Sequence, residues 1–133
     1  MGYSAADIRR GVSTKIPTKS GQQVDHRLEL QTLADSMSAL NIRKNSATYK
    51  DLKKIANDKS NLRAVSKREN GRTGQRVKAT RSGKISNPGS RAVNKQLQGI
   101  KSIEKDWDLA PATRKVINHS KGVLKKQGRK ARR

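Results

Sequence analysis

Residues 22–31 read Gln22-Gln23-Val24-Asp25-His26-Arg27-Leu28-Glu29-Leu30-Gln31, and two periodicities meet within them. Up to about Glu29 the alternation suits an extended segment. From Leu30 the spacing changes, because Leu30, Leu33, Met37 and Leu40 fall at i, i+3, i+7 and i+10, one stripe of a helix. A strand that runs into a helix is therefore predicted, and Pro17 and Thr18-Lys19-Ser20-Gly21 break structure ahead of it. The strand carries one of only two histidines in the chain, with a carboxylate directly before it and another three residues on.

The elements on either side follow from the same signals. Residues 4–11 predict a short helix with Ser4 as N-cap and Gly11 as stop. A second helix after Leu40 is predicted from about Ser46, with Tyr49, Leu52 and Ile55–Ala56 on one face and lysines on the other. Asn57-Asp58-Lys59-Ser60 is turn chemistry, and Asn61-Leu62-Arg63-Ala64-Val65 is a short strand candidate. Gly71, Gly74, Gly83 and Gly89, with Pro88, predict a short helix followed by loop. Val93, Leu97, Ile100 and Ile103 step around a helix from Ser90 to about Asp106, and Pro111 suits the first turn of a last one that carries Val116, Ile117 and Val123–Leu124. The expected fold class is α+β and mostly helical: a small β-hairpin plus helix embedded among helices, in a single domain over residues 1–133.

Charge dominates what such a chain can meet. It has 133 residues with 32 Lys and Arg against 10 Asp and Glu, a formal charge of +22. A surface of that sign attracts polyanions, and nucleic acid is the commonest polyanion a basic protein encounters. The apolar groups are short and interrupted, so no membrane span or signal segment is expected. There is no Phe, and Tyr3, Tyr49 and Trp107 are the only aromatics, so a thin core of Leu, Ile, Val and Ala is predicted. Absence of cysteine excludes disulfides and thiolate metal ligands and leaves the compartment open.

Beside Val24-Asp25-His26 stands a second stretch, residues 60–75, SNLRAVSKRENGRTGQ. There Asn61 opens a strand, and Asn70 follows nine positions later at the start of a basic helix. Together the two stretches resemble the HNH, or ββα-metal (His-Me finger), endonuclease family, in its Asp-His…Asn…Asn variant. The resemblance covers about residues 22–78, with a helical insertion at about 30–57 where the family usually has a modest loop, and a basic helical part at 90–133 lies outside it.

The resemblance implies a catalytic His26, with Asn61 holding its ring. It implies one divalent ion, Mg²⁺ or a similar cation such as Mn²⁺, held by Asp25 and Asn70. Physical chemistry is consistent with those assignments. An imidazole suits a general base near neutral pH, and carboxylate and amide oxygens are hard donors that suit Mg²⁺. Successive strand residues point to opposite faces, so Asp25 and His26 can share one site only if the backbone bends there. Glu29 is a possible further support of the imidazole or the metal site, or simply a solvated strand residue.

Arg68, Arg72, Arg76 and Lys78 are predicted to lie along a phosphate backbone, Arg72 and Arg76 being one helical turn apart. His119 reads as a surface or phosphate-contact residue, and Trp107, between Asp106 and Asp108, as a core anchor. The acid-free end from Lys121 can grip DNA, serve as an address, or be disordered. The function expected from these residues is metal-dependent hydrolysis of DNA with little sequence preference, RNA being the other candidate substrate. By resemblance the setting is a secreted or antibacterial toxin with an acidic immunity protein as partner. The competing reading is a non-catalytic, basic nucleic-acid-binding protein of ribosomal or architectural type.

Overall fold

A computed structural model describes residues 2–12, 14–66 and 90–131. The described chain is α+β and mostly helical. Its order is α1 (Ala5–Arg9), β1 (Gln22–His26), α2 (Leu30–Ala39), α3 (Ala47–Ala56), a 3-10 turn (Lys59–Asn61), β2 (Leu62–Ser66), α4 (Ser90–Asp106) and α5 (Pro111–Ala131).

The helices begin where side-chain chemistry can satisfy their open amides. Ser4 caps α1 in a reciprocal box: its hydroxyl accepts from Asp7 N at 3.4 Å, and Asp7 Oδ2 accepts from Ser4 N at 2.9 Å. Ser46 caps α3 in one direction only, its hydroxyl accepting from Tyr49 N at 3.1 Å. At α2 the N-cap Glu29 makes no side-chain cap, and its own amide is met by Gln96 of α4, whose Oε1 accepts from Glu29 N at 3.3 Å and from Thr32 Oγ1 at 2.6 Å. The start of α2 is thus completed from a distant part of the chain.

β1 and β2 pair antiparallel, with Asp25 opposite Arg63 and His26 opposite Leu62. No tight turn joins them, because residues 27–61, including α2 and α3, intervene. Two strands alone are marginal in water, so this hairpin depends on what packs against it. Gly21, at φ +81, makes the left-handed turn into β1 that glycine adopts without strain. The core collects Leu28 and Leu33, Met37, Leu52, Ile100, Ile103, Ile117 and Leu124, all essentially inaccessible. Fully burying each such side chain stabilises by about 1.5–3 kcal/mol, which is how a chain without Phe assembles a core. Tyr3 and Tyr49 stack at 5.6 Å between ring centroids and seal the α1–α3 edge.

Three expectations are corrected. The chain from Lys121 to Ala131 is not disordered; it continues α5, anchored by the buried Leu124. His119 is half-buried rather than a surface residue, with Nδ1 2.9 Å from Ser36 Oγ, which is itself 2.7 Å from Ser120 Oγ. Those hydroxyls join α2 to α5 inside the core. Trp107 is only half-buried: its ring packs against the core edge while Nε1 donates to Ser60 Oγ at 3.3 Å.

At Gly99, α4 packs closely against the residues that flank the hairpin. A Cβ there would stand 2.6 Å from Leu28 N, 2.6 Å from Arg27 Cβ and 2.9 Å from Asn61 Oδ1. Helix propensity alone says that Gly99→Ala should stabilise α4 by about 1 kcal/mol. Overpacking against main chain costs about 3 kcal/mol, so a net loss of about 2 kcal/mol is expected in urea unfolding. A more stable variant would show that α4 does not seat here.

Candidate active site

The end of β1 divides two sets of side chains. Asp25, 7% exposed, faces α4 and its neighbour strand: its Oδ2 lies 3.2 Å from Lys95 Nζ and 3.4 Å from Arg63 Nε. The same Lys95 ammonium donates to Glu29 Oε1. Two carboxylates therefore converge on one buried lysine, with Arg63 from the paired strand beside them. Burial raises the Glu29 carboxyl above its ordinary pKa, and Asp25 adds to this, while Lys95 and Arg63 pull it back.

His26 turns to other partners. Its ring is half-buried, and Nε2 lies 2.9 Å from Asn57 Oδ1, at the C-cap of α3. Burial holds the imidazole below its usual pKa. The bond to Asn57 and the charge of Asp25 oppose this, and Arg9 and Lys95 reinforce it. A ring that is neutral near pH 7 can accept a proton, as a general base must. Adjacent residues with separate partners are what strand alternation requires: no bend brings Asp25 and His26 onto one set of partners.

Asn61 is fully buried and holds main chain rather than the imidazole. Its Oδ1 accepts from Leu28 N at 2.7 Å, and its Nδ2 donates to Leu28 O at 3.1 Å and Ala56 O at 2.9 Å. Its own carbonyl accepts from Arg27 N at 2.7 Å. The role implied for Asn61 is thus divided: Asn61 fixes the turn after His26, and Asn57 touches the ring. Glu29 reaches Lys95 rather than His26. Asn70, Arg68, Arg72, Arg76 and Lys78 lie outside the described residues.

Among the described residues no three His, Cys, Asp or Glu side chains are grouped to hold a metal. Asp25 is the hard oxygen donor nearest His26 in sequence, and its charge is already balanced by Lys95 and Arg63. Both contacts fall on Oδ2, so a divalent cation at Asp25 would be repelled by two cations already beside it.

Three contributors escaped the sequence reading. Asn57 was absorbed into a turn, and nothing local distinguishes a ring-holding asparagine from an Asx-turn residue. Arg63 was read only as one residue of a strand candidate. Lys95 did leave a signal: it sits between Ala92 and Gly99 at i−3 and i+4, on the side of α4 that carries small residues. A lysine on a closely packed helix face needs a buried anion.

By fold and site, the chain is a mostly helical α+β protein in which a paired hairpin separates a clamped imidazole from a buried carboxylate–lysine cluster. Compared with protein-family models, with curated proteins and with solved structures, it matches none.

Proposed function

We propose that the chain is a metal-dependent endonuclease hydrolysing the phosphodiester bonds of DNA with little sequence preference. The observation that carries this reading is His26, held through one ring nitrogen by Asn57 at the end of a hairpin, beside Asp25, in a chain of charge +22. His26 takes the proton of a water that attacks phosphorus in line, and the bond to the 3′ oxygen breaks. Asp25 and Asn70 would hold a Mg²⁺ or Mn²⁺ ion, which would supply positive charge against the transition state. Arg68, Arg72, Arg76 and Lys78 hold the phosphate backbone, an affinity that falls with salt. A nuclease this basic endangers the cell that makes it, which suits the nuclease part of a secreted or antibacterial toxin kept silent by an acidic immunity protein.

A second reading, a non-catalytic nucleic-acid-binding protein, is favoured by one observation: Asp25 is already balanced by Lys95 and Arg63. Incubation with supercoiled plasmid separates the two. Nicking is expected with Mg²⁺ or Mn²⁺, none with EDTA, and a loss of about 100-fold in His26→Ala. If the wild-type chain leaves plasmid and a structured RNA intact across several divalent metals, the binding protein is the correct reading. Equal cutting by wild type and His26→Ala would remove His26 from the mechanism.

A further inference from the structure

We propose that the pocket between α3 and the start of α5 takes the guanidinium group of an arginine carried by a partner polypeptide, whether or not the chain cuts DNA. The pocket has a volume of about 160 Å³. Asp51 and Lys54 of α3, Trp107 and Asp108 of the α4–α5 connection, and Thr113 of α5 stand in its wall. A single water needs about 10–15 Å³ of such space, so a planar group of a few heavy atoms and part of its stem fit. Trp107 also borders a second, more open depression, lined with Asp58, Lys59 and Asp106. Four of the chain's ten carboxylates thus gather at one indole, although the chain carries 32 Lys and Arg. Among the described residues none of these four forms an ion pair.

An acidic patch by itself is only a charged surface, and Thr113 supplies an independent sign of a ligand. The residue is 1% exposed, and its hydroxyl has no hydrogen-bond partner. A buried hydroxyl left unpaired is costly, and an N–H of a ligand satisfies it as an acceptor. Trp107 supplies the third part. Its Nε1 donates to Ser60 Oγ, and Lys54 Nζ lies 5.9 Å from its ring centroid, so the ring already receives a cation. Lys54 is exposed on a flexible stem and can swing aside. A metal ion is a poor match, because among the described residues no three His, Cys, Asp or Glu are grouped to hold one. A guanidinium stacks on an aromatic ring and offers a planar fork of N–H groups that two carboxylates and a hydroxyl can share. The positive start of α5 lies in the same wall, where the Asp108 carboxylate offsets it. Overall charge does not forbid a cationic ligand, because exposed charges beyond about 8 Å are largely screened at physiological salt. Two depressions at one indole, each with two carboxylates, favour neighbouring cations on one segment over a free guanidinium compound.

Trp107 is the only tryptophan in the chain, so its fluorescence reports on the pocket directly. The probe is a capped peptide with two arginines separated by a glycine, titrated into the full chain beside its glutamine counterpart and beside free arginine. A saturable change with the arginine peptide is expected, with affinity about tenfold weaker in Asp51→Asn or Asp108→Asn. Both aspartates are exposed, so these variants keep the fold, which circular dichroism checks. Lys54→Ala is expected to bind the peptide about two- to fivefold tighter, because a competing cation is gone. Thr113→Val keeps the side-chain shape without the hydroxyl. It is expected to weaken peptide binding and to unfold in urea no earlier than wild type, since no protein partner is lost. The absence of a saturable change up to about 10 mM peptide overturns the proposal. So does an equal response to the glutamine peptide, unchanged affinity in both aspartate variants, or weaker binding in Lys54→Ala. Free arginine that binds as tightly as the peptide removes the partner polypeptide, and earlier unfolding of Thr113→Val takes Thr113 out of the site.

Discussion

Replacing Asn61 by alanine is expected to lower unfolding free energy by about 4 kcal/mol, against a total of roughly 5–15 kcal/mol for a domain of this size. The residue is fully buried, and its side chain makes three hydrogen bonds to main chain at 2.7–3.1 Å. Leu28, whose amide and carbonyl it clasps, is itself 1% exposed, so water has no ready access to the groups released. Each buried polar group left unpaired costs about 1–3 kcal/mol, and these outweigh the small gain from shedding a polar side chain. Asn61→Asp separates hydrogen bonding from packing. It keeps the shape and the acceptor for Leu28 N, but it turns a carboxylate oxygen on the carbonyls of Leu28 and Ala56. It is expected to be at least as damaging as alanine. Urea unfolding followed by circular dichroism reads both variants, and a loss under about 1 kcal/mol for Asn61→Ala would show that the clasp does not hold the turn after His26.

Lys95→Met is expected to cost about 3 kcal/mol. The Lys95 side chain is 4% exposed and that of Asp25 8%, so removal of the ammonium strands buried negative charge. Breaking a buried pair costs about 3–5 kcal/mol. The lower end applies because Arg63 remains 3.4 Å from Asp25 and the Glu29 side chain is 23% exposed. Adding Asp25→Asn and Glu29→Gln is expected to recover most of the loss, because the buried charges are then gone and the one that remains, on Arg63, belongs to a side chain 32% exposed.

The pH dependence gives the sign independently. Burial lifts the folded-state pKa of Glu29 above its ordinary 4.5, so folding takes up a proton in the window above that value. The stability this group contributes is present below 4.5 and is lost as pH rises through the folded value. Without Lys95 that folded value rises further. The deficit of Lys95→Met is therefore expected to be largest near pH 7 and to shrink as pH falls toward the ordinary 4.5. A deficit independent of pH would mean that packing of the lysine stem, not its charge, is what the mutation removes.

Much of the architecture was legible in the residues. The change from alternation to a helical stripe at Leu30 gives β1 followed by α2, and Ser4 and Ser46 mark helix starts because a hydroxyl can satisfy an open amide. Pro111 opens α5 for the reason prolines open helices generally, since its missing N–H is not needed there. The last helix was legible as far as Leu124, an apolar residue of its stripe that is buried in the core, whereas beyond it the run of cations carries no apolar spacing to extend the helix.

The site divides along the same line. Local pattern determined that Asp25 and His26 lie together on one strand and that a second strand follows the turn ending at Asn61, since strand periodicity and turn chemistry act over a few residues. What those side chains touch was decided only by the tertiary structure. Asn57 reaches His26 across 31 positions, and Lys95 reaches Asp25 across 70. Both contacts depend on how α3 and α4 are seated, which close approach at Gly99 and burial of Ile100 and Ile103 determine. A polar side chain chooses its partner by desolvation, since it must pair with whatever group is buried beside it, and which group that is cannot be read from its neighbours in the chain.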